Sequence, residues 1–185
     1  MVEVRVNGLF MTQSQASGII LREQNGERAL PIVIGEYEAQ SIALALENLK
    51  PPRPITHDLT ANMIEILGIS MDRVVITDLK DNTYYAIIKL TFAGQEYEID
   101  SRPSDAIALA IRLGTPIFVE DLVMEEASYI PEEDEQDAHK KSYIYRSKED
   151  ELEALREKLK KAVEKEEYEK AAKIRDQIKR LESGS

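Results

Sequence analysis

The chain lacks cysteine and long apolar runs, and these absences narrow the classes of protein to which it can belong. With no cysteine among 185 residues, neither a disulfide framework nor a thiolate zinc site can stabilise the fold. The apolar runs are far shorter than the roughly 20 residues that a membrane-spanning helix needs. Residues 2–6 alternate as in a strand, without a charged and then apolar leader. We therefore expect a cytoplasmic protein, and its 43% hydrophobic content is enough for a packed core.

Positive charge is scarce in the first two thirds of the chain. The net charge is −11, and residues 1–130 hold 10 Lys and Arg against 19 Asp and Glu, whereas residues 150–185 hold 10 of each. Nucleic-acid binding normally depends on cations that neutralise phosphates. A phosphate backbone would be repelled unless divalent cations bind the carboxylates or basic groups cluster locally. Acidity that serves only solubility is the alternative.

Alternating apolar residues and turn signals predict two runs of three strands, each followed by a helix. Asn25-Gly26 predicts a tight hairpin turn, and a proline-rich connector precedes a short helix that Asp58 caps and Gly68 ends. The predicted strands are 2–11, 18–23, 28–34, 73–79, 84–92 and one ending near Asp100, and the first helix is 36–49.

The segment Glu98–Val119 predicts a strand, a helix and a second strand. Tyr97 and Ile99 alternate with charged residues as in a half-buried strand, and Pro103 suits the first turn of a helix. That helix is apolar almost all round and stops at Gly114, so we expect it to be buried.

Two helices in the chain share a sequence pattern. When Ile42 is laid on Ile107, SIALAL matches AIALAI, and both helices follow three predicted strands. This order favours an internal duplication over a chance likeness of two alanine-rich helices. The predicted fold is α+β, with a mainly antiparallel sheet and helices packed on one side of it.

The C-terminal third differs in character. We expect an α+β domain at residues 1–127, an acidic linker at 128–148 and a helical hairpin at 149–185. Two runs of apolar residues at helical spacing support the hairpin, and they are Leu152, Leu155, Leu159 and Ala162, then Tyr168, Ala171, Ala172, Ile174, Ile178 and Leu181.

Three separated motifs in the α+β region resemble the bifunctional nuclease domain family. They are PIVIGEYEAQSIALAL at 31–46, RPITHDL at 53–59 and SRPSDAIALAIRLGTPIFV at 101–119. The resemblance covers roughly residues 1–127, and members of this family are reported to hydrolyse both DNA and RNA. It therefore implies a nuclease.

The hairpin resembles the UVR motif of nucleotide-excision repair subunits and some protease adaptors. EEYEKAAKIRDQI carries the likeness, and a generic amphipathic hairpin has no need of Arg175-Asp176 after the alanine pair. The resemblance implies a protein-contact device that often pairs with another copy of itself. The implied contact residues are Tyr168, Ala171, Ala172, Arg175 and Ile178.

Carboxylates inside the three motifs are the candidates for chemistry. Phosphodiester hydrolysis near neutral pH usually uses a metal to activate water, so we expect Glu36, Asp100 and Asp105 to hold a divalent ion, Mg²⁺ or Mn²⁺. Glu36, Asp105 and His57 are the catalytic candidates, with Glu38 and Asp58 as further acids. Each acid could equally serve its helix start as a cap or dipole partner, worth about 0.3–1 kcal/mol, and His57 could hydrogen-bond only locally.

A helix start with a nearby arginine is a suitable place for a phosphate. Arg102 with Ser101 and Ser104 fits this description, and Arg53 is expected near it, as is Arg112. The alternative is that Arg102 pairs with a neighbouring acid.

Several enzyme classes are excluded. The histidine-aspartate type of metal phosphohydrolase needs additional histidines, and the chain offers only His139 besides His57. No serine or cysteine nucleophile pattern and no phosphate-binding glycine loop is present.

Two functions stay open. The first is a metal-assisted nuclease acting on DNA or RNA. The second is a non-enzymatic oligomeric binding or adaptor protein of DNA repair or regulated proteolysis, whose hairpin meets a protein partner. We expect a homo-oligomer, with no membrane partner.

Overall fold

The computed structural model describes residues 1–12 and 16–131, together with the single positions Leu159 and Arg175, which are both helical. The chain divides into two compact units, Met1–Ile144 and Tyr145–Ser185. The predicted linker from residue 132 and the rest of the predicted hairpin lie outside the described residues. The elements are β1 (Val2–Met11), β2 (Ser17–Glu23), β3 (Ala29–Ile34), α1 (Glu36–Leu46), α2 (Thr56–Ile66), β4 (Ser70–Lys80), β5 (Thr83–Phe92), β6 (Gln95–Ser101), α3 (Pro103–Leu113), β7 (Ile117–Val119) and α4 (Asp121–Ala127).

The described strands form one seven-stranded sheet in the order β3-β2-β1-β7-β4-β5-β6. All neighbouring strands are antiparallel except β4 and β7, which run parallel. Two antiparallel meanders therefore flank the short central strand β7. The predicted α+β class with a mainly antiparallel sheet is confirmed.

All four described helices contribute to one apolar core. Helix α3 is the most deeply buried, since Ala106, Ile107, Ala108 and Ala110 are each no more than 1% exposed. Gly114 ends α3 in the left-handed conformation that its lack of a side chain permits. The prediction of a buried helix that stops at Gly114 is thus confirmed. No helix in the described part of the chain is long and apolar enough to cross a membrane.

Three strands followed by a helix occur twice, as β1-β2-β3-α1 and β4-β5-β6-α3. The two residues aligned from the sequence, Ile42 and Ile107, are both 0% exposed, and α1 and α3 pack against each other. The arrangement agrees with the expected order of elements, and the duplication itself stays a prediction.

Three local predictions were wrong. Tyr97 and Ile99 are 43% and 47% exposed on β6, the last strand of the sheet. Asp58 is not the N-cap of α2: the helix is preceded by Ile55, whose N–H donates to the Asp58 carboxylate from the first turn. Helix α1 ends at Leu46 rather than Leu49, since Asn48 takes a φ of 53°.

The hairpin predicted at Asn25-Gly26 is present. Strands β2 and β3 pair antiparallel, and residues 24–28 connect them.

We predict that Ile107→Ala lowers the free energy of unfolding by about 2–5 kcal/mol, because it removes a fully buried side chain from α3. Urea unfolding followed by circular dichroism measures the change. The matched control is Leu122→Ala on α4, which is 76% exposed and should matter by less than about 0.5 kcal/mol. Equal losses from the two substitutions would contradict this assignment of the core.

Candidate functional site

The first turns of three helices meet at one place in the fold. Helices α1, α2 and α3 are preceded by Gly35, Ile55 and Arg102, and none of these residues caps its helix with a side-chain hydrogen bond. Each helix start carries free N–H groups and the positive end of a helix dipole. In all three helices, acidic side chains of the first turn offset this positive charge. Side chains near the three starts are joined in one hydrogen-bonded network with Ser41 from the middle of α1 and Arg112 from the last turn of α3. We call it the helix-start network, and its members are Glu38, Ser41, His57, Asp58, Arg102, Asp105 and Arg112.

Arg102 and Asp105 form the exposed end of this network. The guanidinium donates from Nε to Asp105 Oδ2 at 2.7 Å and from Nη2 to Asp105 Oδ1 at 3.0 Å. Its Nη1 lies 2.9 Å from Glu38 Oε1 on α1. This paired geometry is the strong form of an arginine–carboxylate contact. The Arg102 side chain nevertheless stays 65% exposed, so solvent and ions can reach it.

His57 lies between Asp105 and the interior of the domain. Its Nε2 is 3.1 Å from Asp105 Oδ1, and its Nδ1 is 2.8 Å from the hydroxyl of Ser41. The imidazole is 16% exposed and Ser41 is 4% exposed. His57 thus connects an exposed carboxylate to a buried hydroxyl, and both of its ring nitrogens are engaged.

Arg112 and Asp58 form the buried end of the network. Arg112 donates from Nε to Asp58 Oδ1 at 2.7 Å and from Nη2 to the hydroxyl and carbonyl oxygens of Ser41 at 3.2 and 3.1 Å. Its Nη1 donates to the Ala108 carbonyl. With 10% of its side chain exposed, Arg112 is committed to internal contacts and is not the phosphate ligand expected beside Arg102.

Gly35 allows Glu38 to reach the network. A Cβ atom at position 35 would lie 2.1 Å from Glu38 Oε2, so the carboxylate folds back over the glycine. That position places its other oxygen against Arg102. The sequence Gly35-Glu36-Tyr37-Glu38 therefore contributes through Gly35 and Glu38 rather than through Glu36.

Hydrogen bonds set the charge state of both aspartates. Burial raises the pKa of Asp105, but the bonds from Arg102 and His57 outweigh burial and hold this pKa below its ordinary value. Burial also raises the pKa of Asp58, and the bonds from Arg112 and the Ile55 N–H outweigh it in the same way. Both carboxyl groups are therefore ionised at neutral pH.

The acids predicted to hold a metal are not arranged for it. Glu36 and Asp100 are exposed and lie outside the helix-start network. Among residues 1–12 and 16–131 there is no group of three or more His, Cys, Asp or Glu side chains that could hold a metal ion. Both oxygens of Asp105 already accept hydrogen bonds. The residues as arranged do not fit the expected divalent site.

The predicted anion ligands are brought together only in part. Arg102 is exposed at the start of α3, as expected. Ser101 donates its hydroxyl to the Arg102 carbonyl, and Ser104 is 5% exposed within the core. Arg53 is exposed in the connector before α2 and lies outside the network. Arg102 is paired with acids, which was the alternative reading of this residue.

Ser41 and Arg112 were missed as site residues. Each leaves a signal in the sequence, since Ser41 is a lone polar residue opening the apolar run SIALAL and Arg112 is the single charge in AIALAIRLG. A polar group at a position whose helical neighbours are buried needs a partner. Which partner it finds depends on the packing of α1 against α3, which spacing alone does not reveal.

We predict that Asp58→Asn lowers the free energy of unfolding at pH 7 by about 1.5–3 kcal/mol, because it weakens a charge-assisted bond to a buried arginine. The pKa of Asp58 lies below 3.8 in the folded protein. Its contribution is therefore complete above pH 3.8 and is lost as the pH falls from there through the folded-state pKa. Urea unfolding at pH 7, 4 and 3 should show wild type and variant converging in acid. Asp100→Asn is the exposed control, and a gap that widens in acid would contradict the pairing.

Comparison with known proteins agrees with the resemblance of the motifs. The model of the bifunctional nuclease domain matches residues 19–132, and the UvrB/UvrC motif matches residues 149–184. An uncharacterized protein of Mycobacterium tuberculosis is 43% identical over 161 residues, which are 86% of this chain and 93% of that protein.

Two plant proteins match the α+β region alone. Bifunctional nuclease 1 of Oryza sativa is 34% identical over 105 residues, and bifunctional nuclease 2 of Arabidopsis thaliana is 30% identical over 107 residues. Each match covers 32% of the plant protein and 55% or 56% of this chain. All seven side chains of the helix-start network lie within residues 19–132. The chain belongs to the bifunctional nuclease domain family.

Proposed function

We propose that this protein hydrolyses phosphodiester bonds of DNA or RNA at the helix-start network. One observation carries the proposal: an exposed arginine, a carboxylate and a histidine are hydrogen-bonded in series where three helices begin. Two plant relatives are named bifunctional nucleases, which supports the same reaction class. The match covers only about a third of the length of these relatives. The proposal therefore rests on the residues of the site and not on the names of the relatives.

Arg102 is the proposed phosphate ligand. Its planar donors suit a phosphate as well as a carboxylate, and 65% exposure leaves it able to turn outward. A phosphate that binds Arg102 competes with Asp105 and Glu38 for the same N–H groups. In a domain with an excess of acids, this cation gives the phosphate a local attractive site, and the α3 N–H groups add to it.

Asp105 is the proposed acceptor of the water proton. As the water oxygen bonds to phosphorus, the bond from phosphorus to the leaving oxygen breaks, and the protonated Asp105 returns the proton to that oxygen. Once phosphate draws Arg102 away, the carboxylate keeps its hydrogen bond from His57 and regains an oxygen that can orient a water molecule. His57 therefore acts by positioning Asp105 and by donating a hydrogen bond beside the reacting phosphate. Glu38 holds Arg102 when no phosphate is present. No step is assigned to a divalent cation, because the acids do not fit one as arranged.

Cleavage assays separate this network from the metal set predicted by sequence. We expect Asp105→Asn to lower the rate of cleavage of labelled single-stranded DNA and RNA by about 100-fold or more, the scale of a lost acid–base group. His57→Gln and Arg102→Gln should each lower it by about 100-fold, the scale of a lost donor to the reacting group. Glu36→Gln and Asp100→Asn are the controls and should keep near wild-type rates. Each protein is assayed with Mg²⁺, with Mn²⁺ and with EDTA.

Two outcomes would overturn the assignment. If Glu36→Gln and Asp100→Asn abolish cleavage and EDTA does the same, a divalent cation at the acids predicted from sequence is the better description. If wild-type protein cuts neither nucleic acid under any of the three conditions, this chain is not a nuclease on such substrates.

A second function is favoured by the C-terminal match. Residues 149–184 carry the UvrB/UvrC motif. This match suits a binding or adaptor protein linked to DNA repair or regulated proteolysis. The hairpin would then meet a protein partner through Tyr168, Ala171, Ala172, Arg175 and Ile178. Arg175, the described member of this set, is helical and exposed.

Self-association is proposed from the surface of α2. This helix buries Ala61, while four large apolar side chains stay 53–84% exposed, namely Leu59, Met63, Ile66 and Leu67. Exposed apolar groups on one element often mark an interface between chains.

A cytoplasmic location stays a prediction from the sequence.

We predict that Arg175→Glu in the full-length chain removes partner proteins that copurify with wild type, because it reverses the charge of an exposed helical residue. Affinity capture with mass spectrometry identifies the partners, and light scattering gives the subunit number. Cleavage should be unchanged, since the residues proposed for it lie before residue 132. The conservative Arg175→Lys is the matched control. An unchanged partner list with Arg175→Glu would remove the role of this residue.

A further inference from the structure

Arg112 is a buried cation to which the proposed reaction assigns no role. Its side chain is 10% exposed at the last turn of α3, and its donors reach Asp58, the Ala108 carbonyl and both oxygens of Ser41. Arginine donates hydrogen bonds and accepts none. At the contact between Arg112 Nη2 and Ser41 Oγ, the hydroxyl oxygen must therefore be the acceptor.

This contact fixes the direction of the next hydrogen bond. A serine hydroxyl has one hydrogen and two lone pairs, and Arg112 occupies one of the lone pairs. The hydroxyl hydrogen is repelled by the guanidinium and is free to point at His57 Nδ1, 2.8 Å away. Nδ1 then accepts, so the proton of a neutral imidazole resides on Nε2.

The other end of the series demands the same tautomer. Asp105 is ionised and can only accept hydrogen bonds. Its Oδ1 lies 3.1 Å from His57 Nε2, so Nε2 carries the hydrogen. A group that only donates and a group that only accepts thus stand at opposite ends of Arg112–Ser41–His57–Asp105. For a neutral imidazole, one arrangement of protons satisfies every contact.

We propose that Arg112 and Ser41 are positioning residues that hold neutral His57 as its Nε2–H tautomer. His57 then presents an N–H group toward the exposed side of the network and keeps its lone pair inside. It is a hydrogen-bond donor to Asp105 rather than a general base. The assignment of the tautomer follows from the contacts of Ser41, His57 and Arg112 and from the charge of Asp105. Its role in catalysis rests on the proposed function.

Nuclear magnetic resonance tests the tautomer directly. The chain has two histidines, His57 and His139, so a ¹⁵N-labelled His139→Gln protein contains a single imidazole. Long-range ¹H–¹⁵N correlation at pH 8.5, above the ordinary titration range of imidazole, distinguishes the protonated nitrogen from the bare one. We expect Nε2 to be the protonated nitrogen and Nδ1 the bare one. A protonated Nδ1 in this otherwise unaltered protein would overturn the proposal outright.

Variants in the same background separate the two ends of the series. With Asp105→Asn, the Nε2–H tautomer should persist, because Ser41 still donates to Nδ1. Adding Ser41→Ala or Arg112→Lys to Asp105→Asn should give a mixture of tautomers, seen as a shift of both ring nitrogens toward each other. A pure Nε2–H signal in both double variants would show that Ser41 and Arg112 do not position the ring. Amide peak dispersion confirms that each variant is folded.

This readout does not depend on catalysis. If nucleic acids are not cleaved but Nε2 is protonated and responds to the variants as described, the proposed function fails and the positioning role stands. If cleavage depends on His57 and Nδ1 is protonated, the reverse holds. Where cleavage is measured, Ser41→Ala should lower kcat by about 10-fold, the scale of lost outer partners, and leave KM unchanged.

Discussion

The crowding of three helix starts is the constraint on which the rest of this domain depends. Helices α1, α2 and α3 each begin with free N–H groups and a partial positive charge, and the residue before each helix does not cap it with its side chain. The first turns contact one another through the side-chain pairs Glu38–Arg102 and His57–Asp105. Acids in the first turns offset this charge, and arginines between the acids keep them from repelling one another. The result is an alternation of charge, Glu38–Arg102–Asp105 on the exposed side and Asp58–Arg112 inside. His57 and Ser41 connect the two groups, so the packing of the helices and the electrostatics of the site cannot be separated.

The same network explains how an acidic domain could treat a phosphate. Nineteen acids against 10 basic residues in the first 130 positions give a repulsive average field, yet binding is decided locally, by which cation can exchange its partners. Arg112 cannot do so, because it is buried and all its contacts are internal. Arg102 can in the proposed reaction, because its own side chain is 65% exposed and water reaches it. A phosphate would then replace one anion with another at Arg102, so the domain would not need to gain net positive charge to bind it.

Much of the fold could be predicted from the sequence because its signals are local. Alternation placed the strands, and Gly114 ended α3 in the left-handed conformation that glycine takes without a steric cost. The errors arose where tertiary position overrides the local pattern. Tyr97 and Ile99 have the spacing of a half-buried strand but lie in the edge strand of the sheet. Asp58 is a residue type that often precedes a helix, but here it lies inside the first turn of α2. The sequence identified several residues of the site but not how they are arranged. Asp105, His57 and Arg102 were identified. Ser41 was assigned no role, and Arg112 was expected only near the phosphate place at Arg102, since Ser41 and Arg112 are 71 positions apart in the chain.

The contrast between the predicted metal set and the observed network follows from how helix starts are used. Spacing places Glu36 and Asp105 at equivalent starts of two similar helices, and symmetry then suggests that they converge. Instead Glu38, one half-turn further on, reaches Asp105's neighbour Arg102 by folding over Gly35. The two runs of three strands and a helix therefore contribute differently. Glu38 on α1 holds Arg102, and Asp105 on α3 is oriented by His57. An asymmetric pair of acids with distinct partners is what a reaction with distinct roles requires, whereas a symmetric cluster of acids would have suited a bound cation.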